Sequence, residues 1–352
     1  MIEMLSGFSL LVLTLAVFSL FSMKMPGGQK AMSGMADAAI ASFLVEAVHK
    51  YILGDAAGLA FFFSVGDTAG SLGGVAAAIL VPIRMGVNPV FAVAAGLAVG
   101  GYGILPGFVA GYVVGLVAPQ IEKWLPEGLD VILGALAAAP LARLVALAVD
   151  PALSALMSHV GETITIAADQ APLVMGFLLG GMMKVICTSP LSSMALTAML
   201  GLTGLPMGIA SIACVGGAVS NGIVFHRLGF GNRGNTLAVM LEPLTQAVIV
   251  TSHPIPIFSG SFLGGGLAGI AAAALGIVNN APGTASPIPG LLAPFAFNDP
   301  LKVALALVCA IVGGAVGGMV VSAVCLRVKP KLRVPAPSIE MEPGRPVSSE
   351  PV

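Results

Sequence analysis

The sequence predicts an all-α polytopic membrane protein of about ten transmembrane helices interrupted by re-entrant hairpins. Three observations predict it. Hydrophobic residues make up 57% of the 352-residue chain and charged residues only 9%, where a soluble globular protein carries roughly a quarter. Mean hydropathy is +1.02, and apolar runs of about twenty residues, each able to cross a bilayer as a helix, recur along the whole length. Many of the 46 glycines and 25 prolines lie inside those runs. Small residues let membrane helices approach closely, and irregular backbone survives at membrane depth only inside protein or beside a water-filled cavity. Their density over residues 180–234 and 260–290 points to the discontinuous helices that transporters use.

In chain order, residues 5–23 form a first span. Its leading segment lacks Lys and Arg, which argues for a retained helix rather than a cleaved signal. Residues 31–53 carry Asp37, Glu46, His49 and Lys50 with apolar positions at helical spacing, an amphipathic or bundle-buried helix. Residues 56–83 contain Gly66-Asp67-Thr68 and Gly70-Ser71 and form a span with an interruption. Residues 89–118 form one or two spans with a break at Pro106-Gly107. Residues 119–130 are a central loop around Trp124. A span over 131–149 holds Arg143 and ends at Asp150-Pro151. Residues 152–171 are partly polar and fit a short helix, a surface loop or a re-entrant piece. Spans follow at 172–186, 190–205, 207–225, 236–250, 261–278 and 301–326, and the proline-rich 279–300 fits a re-entrant segment. This organisation divides into an N-terminal membrane bundle (1–125), a C-terminal transport domain (126–326) and a disordered tail (327–352). Arg327, Lys329, Lys331 and Arg333 open the tail and place the C-terminus in the cytoplasm.

Several function classes are excluded. The net charge of −1 gives no basic footprint for nucleic acid. The chain has no P-loop, no His-Glu-x-x-His, no Gly-x-Ser-x-Gly and no Rossmann fingerprint, so neither ATP-driven transport nor a cofactor is indicated. Cys187, Cys214, Cys309 and Cys325 stand singly in apolar segments, which fits buried thiols rather than a disulfide frame or a metal site.

The stretch from Thr188 to Gln246 holds the candidate site. An ionisable residue at membrane depth costs several kcal/mol and marks a pathway or a paired site. Glu242-Pro243 is the leading case, set between Val239-Met240-Leu241 and Leu244. Its carboxylate can accept hydrogen bonds from sugar hydroxyls or act as a general base; the bland reading is a helix cap or a pair with Arg233. Ser189, Ser192 and Ser193 suit a re-entrant loop that donates to a solute, and Ser189-Pro190 equally suits a helix start. Asn221, Gln246 and His253 complete the binding candidates, with Glu242 as the catalytic one. His226-Arg227 fits a solvated span end or a gate near incoming phosphate. Arg143 and Lys184 have Asp150, Glu162 and Asp169 as possible partners.

The run Ser189-Pro190-Leu191-Ser192-Ser193-Met194-Ala195, then Met199-Leu200-Gly201-Leu202-Thr203-Gly204-Leu205, Gly208-Ile209-Ala210 and Cys214, resembles enzyme IIC (EIIC) of the bacterial phosphotransferase system (PTS). The likeness covers about residues 176–290 and is nearest the perfringolysin-regulator-like branch. It implies an inner-membrane sugar permease acting as a homodimer. The N-terminal bundle would make the dimer contact, and two re-entrant hairpins would hold a sugar or polyol. A Glu-Pro pair belongs to such sugar sites, and Glu242-Pro243 matches it. Phosphoryl transfer would come from separate IIB and IIA proteins, since no such domain is fused here. The branch pattern has a Gly-Thr-Ser-like stretch where this chain has Glu242-Pro243-Leu244, and an Asn-rich turn at Ser252-His253-Pro254. Two alternatives remain: a membrane sensor that keeps the fold but transfers no phosphate, and an ion-coupled secondary transporter with Glu242 or Asp67 as the coupling carboxylate.

Overall fold

The computed structural model describes residues 9, 13, 16–18, 20–123, 129–189 and 193–328. Much of the expected first span, Trp124 in the central loop, Pro190-Leu191-Ser192 and nearly all of the tail lie outside these residues. Within them the chain is helix and turn, with no strand. Six helices are long and apolar enough to cross a membrane, or seven if one bent pair counts as a span. That is fewer than the ten expected. Two apolar runs read as spans, 190–205 and 236–250, are broken into short pieces by Pro and Gly.

The first half is a bundle of close-packed helices. Helix α1 (Gly28–Ala39) continues through two π-helical stretches, Ile40–Leu44 and Ala47–Ala56. Helices α2 (Ala60–Ser71) and α3 (Gly73–Met85) are bent by 57° at Leu72, the interruption expected in that span. Helices α4 (Pro89–Ala98) and α5 (Ile104–Glu122) follow. The expected break at Pro106-Gly107 lies one turn earlier, over residues 99–103; Pro106 sits in the first turn of α5, where its missing N–H costs nothing. Gly34 meets the Val81 backbone and Gly107 meets Gly74, so any side chain at either glycine would collide. Lys50 bridges Glu46 at 3.2 Å and Asp67 at 2.9 Å, and Arg84 meets Asp37 at 2.5 Å.

Helix α6 (Asp130–Gln170) corrects the expected stop at Asp150-Pro151. It runs unbroken for 41 residues, about 60 Å, roughly twice the hydrocarbon thickness. Pro151 removes one backbone hydrogen bond. Beyond it Met157, Val160, Ile164, Ala167 and Ala168 recur at helical spacing and are buried, and that tertiary contact outweighs the proline.

The second half is built on four helices: α7 (Pro172–Thr188), α9 (Gly204–Leu228), α12 (Pro254–Ala274) and α14 (Pro300–Val328), with the short α8 (Ser193–Met199), α10 (Arg233–Leu241), α11 (Ala247–Ser252) and α13 (Pro287–Leu292) between them. Glycines set the contacts. A Cβ at Gly314 would overlap the Gly216 carbonyl, and one at Gly217 would overlap the Lys184 stem. With little hydrophobic drive between helices in lipid, such backbone approach is the main source of packing.

These contacts also fix direction. Gly180 lies against Ala213 and Lys184 against Gly217, while Thr188 bonds Asn221. The numbers rise together, so α7 and α9 run parallel. Gly216 meets Gly314 and Ser220 meets Gly318, so α14 runs parallel to α9. Gly176 meets Gly269 and Gly180 meets Gly265; α12 is antiparallel. Because α7 and α9 are consecutive and parallel, the connection over 189–203 must travel back through the protein, about 25 Å at 1.5 Å per residue. It does so with one seven-residue helix, α8. The connection 275–299 behaves differently. The Asn298 side chain pairs with the Val278 backbone at 2.7 and 3.0 Å, closing the neck of a hairpin. Gly290, inside it, presses on the Ser211 backbone. The segment expected to be re-entrant, 279–300, thus folds as a hairpin that starts and ends at one point.

Candidate functional site

The chain breaks at Glu242 because Pro243 cannot donate to a helix and forces its predecessor into extended backbone. Glu242 has φ −145° and ψ 94° and caps α10 through its N–H to the Ala238 carbonyl at 2.8 Å. A 3₁₀ turn, Pro243–Gln246, follows and packs beside α7. Glu242 is half-buried.

A buried polar triad ties three helices together. Asn221 donates to Thr188 Oγ1 at 3.0 Å, and Ser261 donates to Asn221 Oδ1 at 2.7 Å. Ser261 and Thr188 hydroxyls lie 3.1 Å apart, and Thr188 also donates to the Lys184 carbonyl at 2.9 Å. No member is more than 1% exposed. A second buried cluster anchors the hairpin neck: Asn279 donates to Ser211 and Thr284, each at 2.8 Å. Between the two clusters the connections touch, where Ser193 Oγ donates to the Ala285 carbonyl. Two irregular connections therefore meet at a buried contact.

The family model described as "Phosphotransferase system, EIIC" matches residues 29–335 of the chain. The chain belongs to the EIIC family. It is thus a multi-pass membrane component of a PTS, and the family implies a sugar substrate and IIB and IIA partners. No curated protein matches it significantly.

The remaining predicted residues of this EIIC protein divide clearly. Ser189 caps α7 in extended conformation and donates to the Ile186 carbonyl at 2.8 Å, so it ends that helix. Ser192 lies outside the described residues. Gln246 accepts from Asn235 Nδ2 at 2.8 Å, stapling the 3₁₀ turn to α10. His253 stacks on Phe230 with centroids 4.2 Å apart, and its Nδ1 faces the Ile249 carbonyl at 3.4 Å. Phe230 belongs to an apolar cluster with Phe225, Val239 and Ile257, so His253 faces packing. Arg143 bonds the Ala98 and Gly100 carbonyls and lies over the Tyr102 ring, with none of the suggested carboxylates as partner.

Lys184 also departs from expectation. It is fully buried, its stem threaded between Gly217 and Gly265, and its ammonium meets the Cys187 sulfur at 4.0 Å. Thr188, Ser261, Lys184 and the Asn279 cluster were not among the predicted site residues.

Two open cavities flank the core. One of about 680 Å³ lies between α6 and the 198–203 segment, lined by Ser154, Ser158, Glu162, Thr165 and Thr203 among others. The other, about 530 Å³, lies at the far end of α9 beside His226, Arg227 and Met240. Among the described residues no His, Cys, Asp and Glu cluster is arranged to hold a metal ion.

Proposed function

We propose that this EIIC protein carries a sugar or polyol between its two irregular connections, at Glu242 and the Thr188–Asn221–Ser261 triad. The observation that carries the reading is the meeting of the connections at Ser193 and Ala285, beside groups able to bond hydroxyls. The arrangement is a closed one, in which the polar groups satisfy each other. On opening they exchange those bonds for bonds to sugar hydroxyls, an exchange with a small net cost. Glu242 orients one hydroxyl and takes its proton as the phosphoryl group arrives from a separate IIB protein. Ser189, Ser192 and Ser193 line the path, while Gln246 and His253 hold its walls in place.

Charge supports an orientation. Helices α9 and α14 run parallel, and their ends carry Arg227 and Arg327, with Arg233 beside them, all exposed. By the positive-inside rule this end faces the cytoplasm, where a phosphoryl donor approaches, and the C-terminus lies there too. The bundle of α1 to α5 forms the contact of a homodimer in the lipid bilayer, and the perfringolysin-regulator-like branch is the assignment within the family.

Uptake into membrane vesicles tests the reading. With phosphoenolpyruvate and the partner proteins inside, sugar enters and appears as its phosphate. Uptake that collapses with the proton gradient instead means an ion-coupled carrier; no uptake of any sugar means a sensor. Glu242→Gln abolishes sugar binding and keeps the folded protein. Binding like wild type would remove Glu242 from the site.

A further inference from the structure

The 680 Å³ groove beside α6 belongs to neither the triad nor the Glu-Pro break. Its lower wall is the second half of α6, where Ser154, Ser158, Glu162 and Thr165 fall at successive helical turns and face one channel. Its upper wall is the outer limb of the 189–203 connection, at Leu200, Gly201 and Thr203. The walls are in direct contact at one point: Gly161 lies against the Leu200 carbonyl, where no side chain fits. A smaller cavity of about 100 Å³ shares Ser154 and Ala198 with the groove and continues it toward Ile104 at the start of α5.

We infer that this groove is a docking vestibule for a neutral polyhydroxy solute on the non-cytoplasmic face, coupled to the transport core through the 189–203 connection.

Chemistry selects the class. The lining offers hydroxyls, backbone carbonyls and one carboxylate, and it contains no Lys, Arg or His. Such a surface accepts hydrogen bonds from sugar or polyol hydroxyls and repels a phosphate ester. The volume lies in the range of small-molecule sites. Position selects the face. Thr203 immediately precedes α9, whereas Arg227 stands near its other end, 24 residues away, about 36 Å along the axis. The groove and the basic end therefore lie on opposite sides of the membrane. Coupling follows from the chain. The segment that lines the groove at Leu200 also carries Ser193, which bonds Ala285 in the second hairpin. A solute that clamps this segment against α6 acts on that contact. The ligand class rests on the permease reading above; the location of the groove does not.

Ser158→Cys and Thr236→Cys, each with wild type as blank, test this using a membrane-impermeant thiol reagent. Glucose, N-acetylglucosamine and mannitol serve as probes, with glucose 6-phosphate as the charged control. Ser158→Cys reacts in intact cells and Thr236→Cys, beside the basic cavity, reacts only in inside-out vesicles. A neutral probe slows labelling of Ser158→Cys and the phosphate ester does not. Glu162→Gln removes that protection and raises the uptake KM about tenfold more than it lowers the maximal rate. Labelling of Ser158→Cys from the cytoplasmic side only, protection by no neutral probe, or equal protection by the phosphate ester overturns the inference. Protection without any uptake by wild type removes the permease reading and leaves the vestibule; uptake without protection does the reverse.

Discussion

Asn221→Ala weakens the closed core by an amount that follows from its contacts. The substitution deletes the bonds to Thr188 and Ser261. Hydrogen bonds contribute about 1 kcal/mol each in soluble proteins and about 0.6 kcal/mol on average between membrane helices. The Thr188 and Ser261 hydroxyls remain 3.1 Å apart and keep each other, so no buried group is orphaned. The truncation leaves a void of about 25 Å³, worth about 0.6 kcal/mol. The sum is about 2 kcal/mol, or about thirtyfold in the opening equilibrium. Cys187 and Cys214, 4% and 0% exposed, are built-in reporters. In detergent, a maleimide dye reaches them only through such openings, so their labelling rate rises about thirtyfold. Asn221→Asp keeps the shape but buries a carboxylate, and has a larger effect. Labelling of Asn221→Ala at the wild-type rate would refute the argument, because the triad would then contribute nothing to closure.

Three further outcomes are expected. Gly314→Ala lowers the yield of monodisperse protein on size-exclusion chromatography, because the methyl meets the Gly216 carbonyl, whereas Gly100→Ala, with nothing nearer than 3.5 Å, leaves it unchanged. Lys184→Met keeps the thermal midpoint of unfolding near wild type, since an unbranched apolar chain fills the same glycine slot; Lys184→Ala empties it and costs about 2–3 kcal/mol, read as a lower midpoint. Asp67→Asn leaves uptake within about twofold of wild type, because Asp67 is exposed and its bridge to Lys50 is a surface pair worth under about 1 kcal/mol; loss of uptake would make Asp67 a coupling carboxylate.

What the sequence made legible follows the physics of single residues. The Glu242 break was visible because proline acts on its immediate neighbour, whatever the tertiary context. Asn221 was visible as an amide inside an apolar run. Thr188 and Ser261 were not. A membrane Ser or Thr commonly bonds the carbonyl one turn back, as Thr188 does to Lys184, so its residue type reveals no partner on another helix. His253 was read as facing a solute because it stands in a proline turn; the Phe230 ring that holds it is remote in sequence. Arg143 had carboxylates only as possible partners by charge, while the carbonyls at Ala98 and Gly100 that satisfy it lie at the end of another helix. Two runs read as spans, 190–205 and 236–250, are broken in the structure, because a hydropathy window cannot tell an apolar helix from an apolar connection that stays inside the protein.

That last ambiguity bears on the mechanism. Ser189-Pro190 precedes Gly216-Gly217-Ala218-Val219 by the same spacing at which Ser286-Pro287 precedes Gly313-Gly314-Ala315-Val316. The two Gly-Gly pairs lie in α9 and α14, which run parallel and touch through Gly216 and Gly314. The sequence thus repeats one pattern, a Ser-Pro step 27 residues ahead of a Gly-Gly-Ala-Val run that lies in a glycine-faced helix. The difference lies in the preceding helix. α7 is parallel to α9, so the first segment must cross back through the core, whereas α12 is antiparallel to α14, and the second segment enters and leaves at one end. Only the first segment touches both the outer groove, at Leu200, and the second hairpin, at Ala285. The second hairpin is instead tied at its neck, by Asn298 to Val278 and by Asn279 to Ser211.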